Sequence, residues 1–313
     1  MMSDITIRTL TGPDLPDILA IWNRALVRDP ISEARFISSV LADPDYWPGE
    51  DSGFFVAAQG GRAVGFLRAV IRRHANDRLG VEPGDGWIPV AAVDPAHQRR
   101  GIGTALLQAA LDYFRRHGRR CIRVCGKTGS APGYVFCGVD KEAYPGGLRL
   151  LAKAGFRVDH DAVAMIREIV RFDLDVYLLK LPEMGDVQVS TLTPERIQDF
   201  LTFLAMDFPG DWNTAARGKI RSGAMGEVLI ATLGGTVVGY CQWEGEHFGP
   251  FGVSLSVRRR QIGARLFIEA VRRIRAADGR TVWFNWADPD AERFYARFGL
   301  AATRHFSILR KDS

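Results

Sequence analysis

The segment Gln98-Arg99-Arg100-Gly101-Ile102-Gly103-Thr104 follows a hydrophobic run, Trp87 to Val93, and opens an amphipathic pattern at Ile102, Leu106, Ala109 and Tyr113. A helix that starts inside such a loop presents N–H groups with no acceptor of their own. Two glycines let the main chain approach a ligand closely, the helix dipole adds partial positive charge, and two arginines add full charges. The place therefore suits a pyrophosphate. Dinucleotide and P-loop readings fail on spacing. Leu106 follows the glycine pair where G-x-G-x-x-G needs its third glycine, no acid marks the end of a second parallel strand, and G-K-[ST] is absent.

The elements that must carry this loop occur twice. Val93-Asp94-Pro95-Ala96-His97-Gln98-Arg99-Arg100-Gly101-Ile102-Gly103 is matched at a constant offset by Val253-Ser254-Leu255-Ser256-Val257-Arg258-Arg259-Arg260-Gln261-Ile262-Gly263. Upstream of each lies a Gly-Gly hairpin signal, Gly60-Gly61 and Gly234-Gly235. Downstream of each comes a helix pattern, a strand (Cys121 to Val124; Thr281 to Asn285) and a short helix ending at Gly155-Phe156 or Gly299-Leu300. Ile5 to Leu10 and Val187 to Leu192 open the two copies. Leu15 to Leu26, Glu33 to Leu41 and a run beginning at Pro194 read as helices. Pro182 and Gly185 punctuate the chain, so the expected domains are 1–181 and 186–313. A segment rich in glycine, proline and aromatics, Lys127 to Gly147, interrupts the first copy alone.

The loop from Val93 through Thr104 resembles the Q/R-x-x-G-x-G/A loop of the GNAT N-acetyltransferase superfamily, and the element order resembles that family's layout in both halves. The resemblance implies an α/β fold of the α+β mixed-sheet kind with two tandem GNAT domains. It also implies acetyl-CoA as the acetyl donor, a primary amine on a small molecule or peptide as acceptor, and an N-acetyltransferase activity. By it, Val93 meets the pantetheine, while Gln98, Arg99, Arg100, Gly101, Ile102, Gly103 and Thr104 meet the pyrophosphate.

The copies are unequal. The second has Gln261 for Gly101 and Ala264 for Thr104, so its loop is degenerate. The family often places a tyrosine four residues before the glycine of the last helix, as general acid toward the departing thiolate. Tyr295 fits that place, with Leu151 at the matching place of the first copy, and Asn285 fits a common asparagine near the pantetheine. One expectation is that the first copy holds acetyl-CoA, with Tyr134 or Tyr144 as substitute acid. Another is that the second copy catalyses through Tyr295. Tyr295 also reads as a core aromatic beside Phe294 and Phe298. Asp85, Glu244, Glu246 and His247 flank the relevant strands as positional candidates for a base.

Composition narrows the classes further. The chain has 313 residues, 47% hydrophobic and 25% charged, with a net charge of +5, which suits two ordinary cores and excludes a disordered or collagen-like chain. Cys121, Cys125, Cys137 and Cys241 lack C-x-x-C spacing and the six histidines lack paired ligand spacing, so the expectation is reduced thiols and no metal. The arginine clusters sit at helix ends without a nucleic-acid reading motif, so no nucleic acid is expected as partner. The uncharged run Val228 to Trp243 is broken by its glycine pair and reads as a hairpin, not a membrane span, and Met1 to Asp4 lacks an apolar leader pattern. A cytoplasmic protein is the expectation. The competing functional reading is a non-catalytic acyl-CoA-binding or sensing protein, motivated by the missing tyrosine in one copy and the missing glycine in the other.

Overall fold

A computed structural model describes residues 5–75, 80–125, 131–178, 181 and 185–312. It divides into two compact units, the first made of residues 1–162 with 304–313, the second of residues 163–303. The chain thus leaves the first unit inside a strand, earlier than Pro182 and Gly185, and its last ten residues return to it.

In the first unit the chain runs β1 (Ile5–Thr9), α1 (Leu15–Ala25), α2 (Glu33–Phe36), β2 (Phe54–Gln59), β3 (Arg62–Val70) and β4 (Asp85–Val93). It continues as α3 (Ile102–Arg116), β5 (Cys121–Val124), β6 (Val139–Asp140), α4 (Pro145–Lys153) and β7 (Arg157–Glu168). Strands β1 to β4 form an antiparallel meander, and β5 adds parallel to β4. Alternation along the strands sorts the core into two layers. Phe54, Val56, Phe66 and Val90 pack with Ile18, Trp22 and Phe36 of α1 and α2, whereas Phe55, Ala57, Leu67 and Ile88 pack with Leu106, Ala110 and Phe114 of α3. The turn between β2 and β3 needs Gly60 and Gly61, at φ 57° and 80°, a pair of left-handed residues matched to the twist of a hairpin.

The second unit takes up the chain midway through β7 and continues as α5 (Leu174–Leu178), β8 (Val187–Thr191), α6 (Ile197–Asp207), α7 (Asp211–Arg221), β9 (Val228–Leu233), β10 (Thr236–Glu244) and β11 (His247–Val253). Then come α8 (Ile262–Ala276), β12 (Thr281–Ala287), α9 (Pro289–Ala296) and β13 (Ala301–Asp312). The meander β8-β9-β10-β11 and the parallel pairing of β11 with β12 repeat the first unit's plan. Gly234 and Gly235 repeat its turn, at φ 54° and 83°.

The last strand of each copy lies in the other unit. Residues 309–312 of β13 pair antiparallel with β5, from Leu309↔Val124 to Asp312↔Cys121, and Phe306↔Asp140 joins it to β6. Residues 163–168 of β7 pair with β12, from Ala287↔Val163 to Thr281↔Glu168. Part of the segment read as an insertion is therefore ordinary structure: 139–140 is strand and 145–147 already belongs to α4, while 126–130 lies outside the described residues. No helix among the described residues is long and apolar enough to cross a membrane.

Candidate active site

Strand β4 carries a bulge. Arg68 pairs with Val90 and Val70 with Trp87, so two steps on β3 oppose three on β4. Just there β5 leaves β4. The parallel ladder ends at Ile88↔Val124, with the Cys125 amide donating to the Ile88 carbonyl at 3.0 Å. The Asp94 amide donates to Val64 on β3 at 2.9 Å. Strand alternation then turns the main-chain groups of Ala91 and Val93 away from β3, to the side that β5 has vacated. An extended chain with amide groups, such as a pantetheine arm, has donors and acceptors to meet along this opening.

The loop after β4 is held from within. Asp94 accepts from the Ala96 amide at 2.9 Å and pairs with Arg24, and Gln98 Nε2 donates to the Val93 carbonyl at 3.0 Å. Gln98 thus braces the loop in this structure, and Arg258 makes the matching bond to Val253 at 3.4 Å in the second unit. Arg99, Arg100 and Thr104 are exposed and Ile102 is buried as the first core residue of α3. Gly101 caps the helix at φ 81° without a side-chain cap, and no atom lies within 4 Å of where its Cβ would stand. The first intrahelical bond is Ala105 to Gly101 at 3.0 Å, which leaves the amides of Ile102, Gly103 and Thr104 without intrahelical acceptors. At Gly103 a Cβ would stand 3.1 Å from the Leu150 side chain on α4, a tight contact that the glycine relieves.

The second unit differs at the cap, where Gln261 stands for Gly101. Gln261 adopts a left-handed φ of 61°, a conformation that costs a non-glycine residue about 1 kcal/mol, and the Phe251 ring lies 3.0 Å from where a Cβ on Gly263 would stand. Phe251 stacks on Phe294 at 5.6 Å. Tyr295 is buried among Phe248, Phe251, Phe267, Phe284 and Phe294, the nearest ring centroid being that of Phe284 at 4.4 Å. Burial pushes its phenol well above the ordinary tyrosine range.

The other sequence candidates hold defined posts. Asp85 pairs with Arg123 at 3.0 Å. Glu246 accepts from the Arg280 and Thr281 amides at 2.6 and 3.1 Å, and hydrogen bonding to Thr281 holds its carboxylate below the usual range. Burial lowers the pKa of His247, whose ring lies 4.6 Å from Trp283. Glu244 is exposed, 3.5 Å from Lys219. Tyr144 donates to Asp29 at 2.7 Å, and burial with that carboxylate raises its phenol. Tyr134 is half-buried and Asn285 exposed. Cys125 and Cys137 are buried, and burial pushes the Cys137 thiol up to about 12.

Residues 17–131 match the acetyltransferase (GNAT) family. The match lies within the amino-terminal unit. GNAT enzymes draw their acetyl group from acetyl-CoA and acetylate amines. Among curated relatives, mycothiol acetyltransferase of Acidimicrobium ferrooxidans is 31% identical over 157 residues, half of this chain and 44% of that one. An uncharacterized N-acetyltransferase of Methanocaldococcus jannaschii is 29% identical, over 49% of this chain and 69% of that one. The match therefore spans less than half the length of the mycothiol enzyme. A tandem GNAT protein from the clavulanic acid biosynthesis pathway aligns over 99% of this chain and 98% of its own, with a TM-score of 0.63 at 17% identity. A GCN5-related N-acetyltransferase from Sphaerobacter thermophilus aligns over 98% and 95%, with a TM-score of 0.70 at 18% identity. At these identities the likeness speaks for fold alone: a mixed α/β chain with the tandem GNAT layout.

Proposed function

We propose that this chain is an acetyl-CoA-dependent N-acetyltransferase whose donor site lies in the amino-terminal unit. The observation that carries the reading is the contrast between the two helix starts. At α3 the cap residue is Gly101, with bare main chain, three first-turn amides lacking intrahelical acceptors and Arg99 and Arg100 in solvent beside them, whereas at α8 the matching cap residue is Gln261, which puts a side chain there. On this reading residues 99–104 hold the pyrophosphate and the groups of Ala91 and Val93 turned toward the β4–β5 opening hold the pantetheine. Bound acetyl-CoA supplies the thioester carbon that a primary amine attacks, with the thiol departing. The chain's part is to fix the donor against β4 and to leave the mouth of the opening to the acceptor. The aromatic filling around Tyr295 supports a structural role for the carboxyl-terminal unit.

Calorimetric titration with acetyl-CoA, paired with thiol release across an amine panel, tests the reading. One saturable site and amine-dependent thiol release are expected. Binding without release would turn the protein into an acyl-CoA sensor, a reading that Leu151 in place of a tyrosine favours, and no binding would remove both.

A further inference from the structure

Arg68 sits in the middle of β3 with a relative exposure of 0%, and among the described residues its Nε, Nη1 and Nη2 have no hydrogen-bond partner. Its charge is met by one ion pair, Nη2 to Asp43 at 3.2 Å, with the Tyr46 ring 5.7 Å away and Asp45 contributing at longer range. A buried guanidinium with unused donors is costly, because Nε and Nη1 have given up water and gained no acceptor among the described residues. Its position is informative. Arg68 follows Phe66 by two residues and so points to the α1–α2 face, opposite the Val90 that closes the β4 bulge, one strand away from the place where β4 and β5 part.

The second unit repeats the arrangement with different chemistry. Gln242 on β10 matches Arg68 on β3, counted from Gly239 and Gly65, and stands at the bulge between Cys241↔Phe251 and Trp243↔Phe248. It is buried at 4% exposure with no partner for its Oε1 among the described residues, and the hydroxyl of Tyr240, two residues before, is in the same condition. Two copies that share this little sequence both aim an unsatisfied polar side chain at the same point beside the parting strands. Packing alone has no use for such a group, since an apolar side chain there would cost less.

We infer that Arg68 is a specificity-determining residue that binds a carboxylate on the amine acceptor, so that the acceptor class is amino acids or other amines bearing a carboxylate near the reacting nitrogen. A guanidinium with free donors matches a carboxylate fork and does not match an ammonium or a neutral hydroxyl as well. Gly133 lies against the guanidinium: a Cβ there would stand 3.1 Å from both Cζ and Nη1, and its amide donates to Asp43 at 3.1 Å. The carboxylate takes the space this turn now covers. The inference rests on the acetyltransferase reading above.

The test uses the full chain with saturating acetyl-CoA and matched acceptor pairs that differ by the carboxylate: lysine and cadaverine, tyrosine and tyramine, glycine and methylamine. Thiol release is expected to give a kcat/KM at least about tenfold higher for the carboxylated member of the best pair, the scale of one charge-assisted contact. Arg68→Gln, the side chain that β10 already accommodates at its matching position, is expected to bring that ratio to within about twofold, chiefly by raising KM for the carboxylated amine. Arg68→Lys is expected to restore part of the preference. Equal use of both members, or a uniform loss on both in Arg68→Gln, overturns the inference and makes Arg68 a structural residue. Acetyl-CoA binding with no turnover of any pair also overturns it. Absence of acetyl-CoA binding overturns the acetyltransferase reading instead, and calorimetry separates the two failures.

Discussion

Arg304, near the start of β13, holds Asp29 by both guanidinium ends, Nη1 to Oδ1 at 2.6 Å and Nη2 to Oδ2 at 2.8 Å, across 275 residues of sequence. Its Nε reaches Asp140 at 2.8 Å, and Asp140 also receives Arg28 at 3.2 Å and the amides of Glu142 and Ala143 at 2.9 Å each. Tyr144 completes the set through Asp29. The last strand of the chain thus fixes the loop after α1 and the cap of α4 within the amino-terminal unit.

Replacing Arg304 by methionine strips Asp29 of its bidentate partner and leaves Asp140, fully buried, with Arg28 alone as counter-charge. The expected loss is about 3 kcal/mol, the scale for breaking a buried pair from one side. Urea unfolding followed by tryptophan fluorescence measures it. A loss below about 1 kcal/mol would show that Arg28 and the two amides suffice.

Gly101→Glu places a carboxylate at the bare start of α3. It is expected to weaken acetyl-CoA binding by about tenfold or more through repulsion of the pyrophosphate, whereas Gly263→Glu leaves that binding unchanged. Gly101→Ala, which keeps the strained φ and adds no charge, separates backbone strain from electrostatics. Calorimetric titration of the three variants decides, and a larger effect at Gly263 would move the donor site to the carboxyl-terminal unit.

Tyr295→Phe is expected to keep the rate of thiol release within about twofold, because a phenol enclosed by five phenylalanine rings acts by packing. Loss of a general acid would cost about a hundredfold. The initial rate and its pH profile, measured together, distinguish these outcomes.

Asp14 is held at about 2 by the Arg8 guanidinium, at 2.6 Å on both oxygens, and by Thr11. A folded pKa below the unfolded value of 3.8 stabilises the fold above about pH 4, and that contribution disappears as the pH falls toward 2. Its size is about 2 kcal/mol at most, given that Arg8 is one-third exposed. Asp14→Asn is expected to lower the thermal midpoint at pH 7 and to have little effect at pH 2, as read by calorimetry at both values.

Much of this architecture is legible locally. The Gly-Gly turns, the amphipathic helices and the loop at 98–104 are set by residues within a few positions of each other, and the duplication shows as a constant offset. The roles inside the loop are less legible: the family resemblance puts Gln98 with the pyrophosphate, whereas its amide reaches back to Val93. Arg68 carried no signal, because in sequence it is one arginine among many. Only its burial beside Asp43 sets it apart. Phe251 was likewise one aromatic among many until its ring was seen against Gly263.

By itself the amino-acid sequence determined the repeated order of elements and the glycine-capped start of one helix, since turn chemistry, helix periodicity and exposed first-turn amides depend on neighbours along the chain. Tertiary structure alone decided which strand completes which unit. Both β7 and β13 carry a run of four consecutive buried residues that satisfies an open sheet edge, and nothing local tells β5 to take Leu309 of β13, or β12 to take Met165 of β7. Edge pairing is settled by register and burial over the whole sheet. Arg304 is thereby brought to Asp29, where no short-range rule could have placed it.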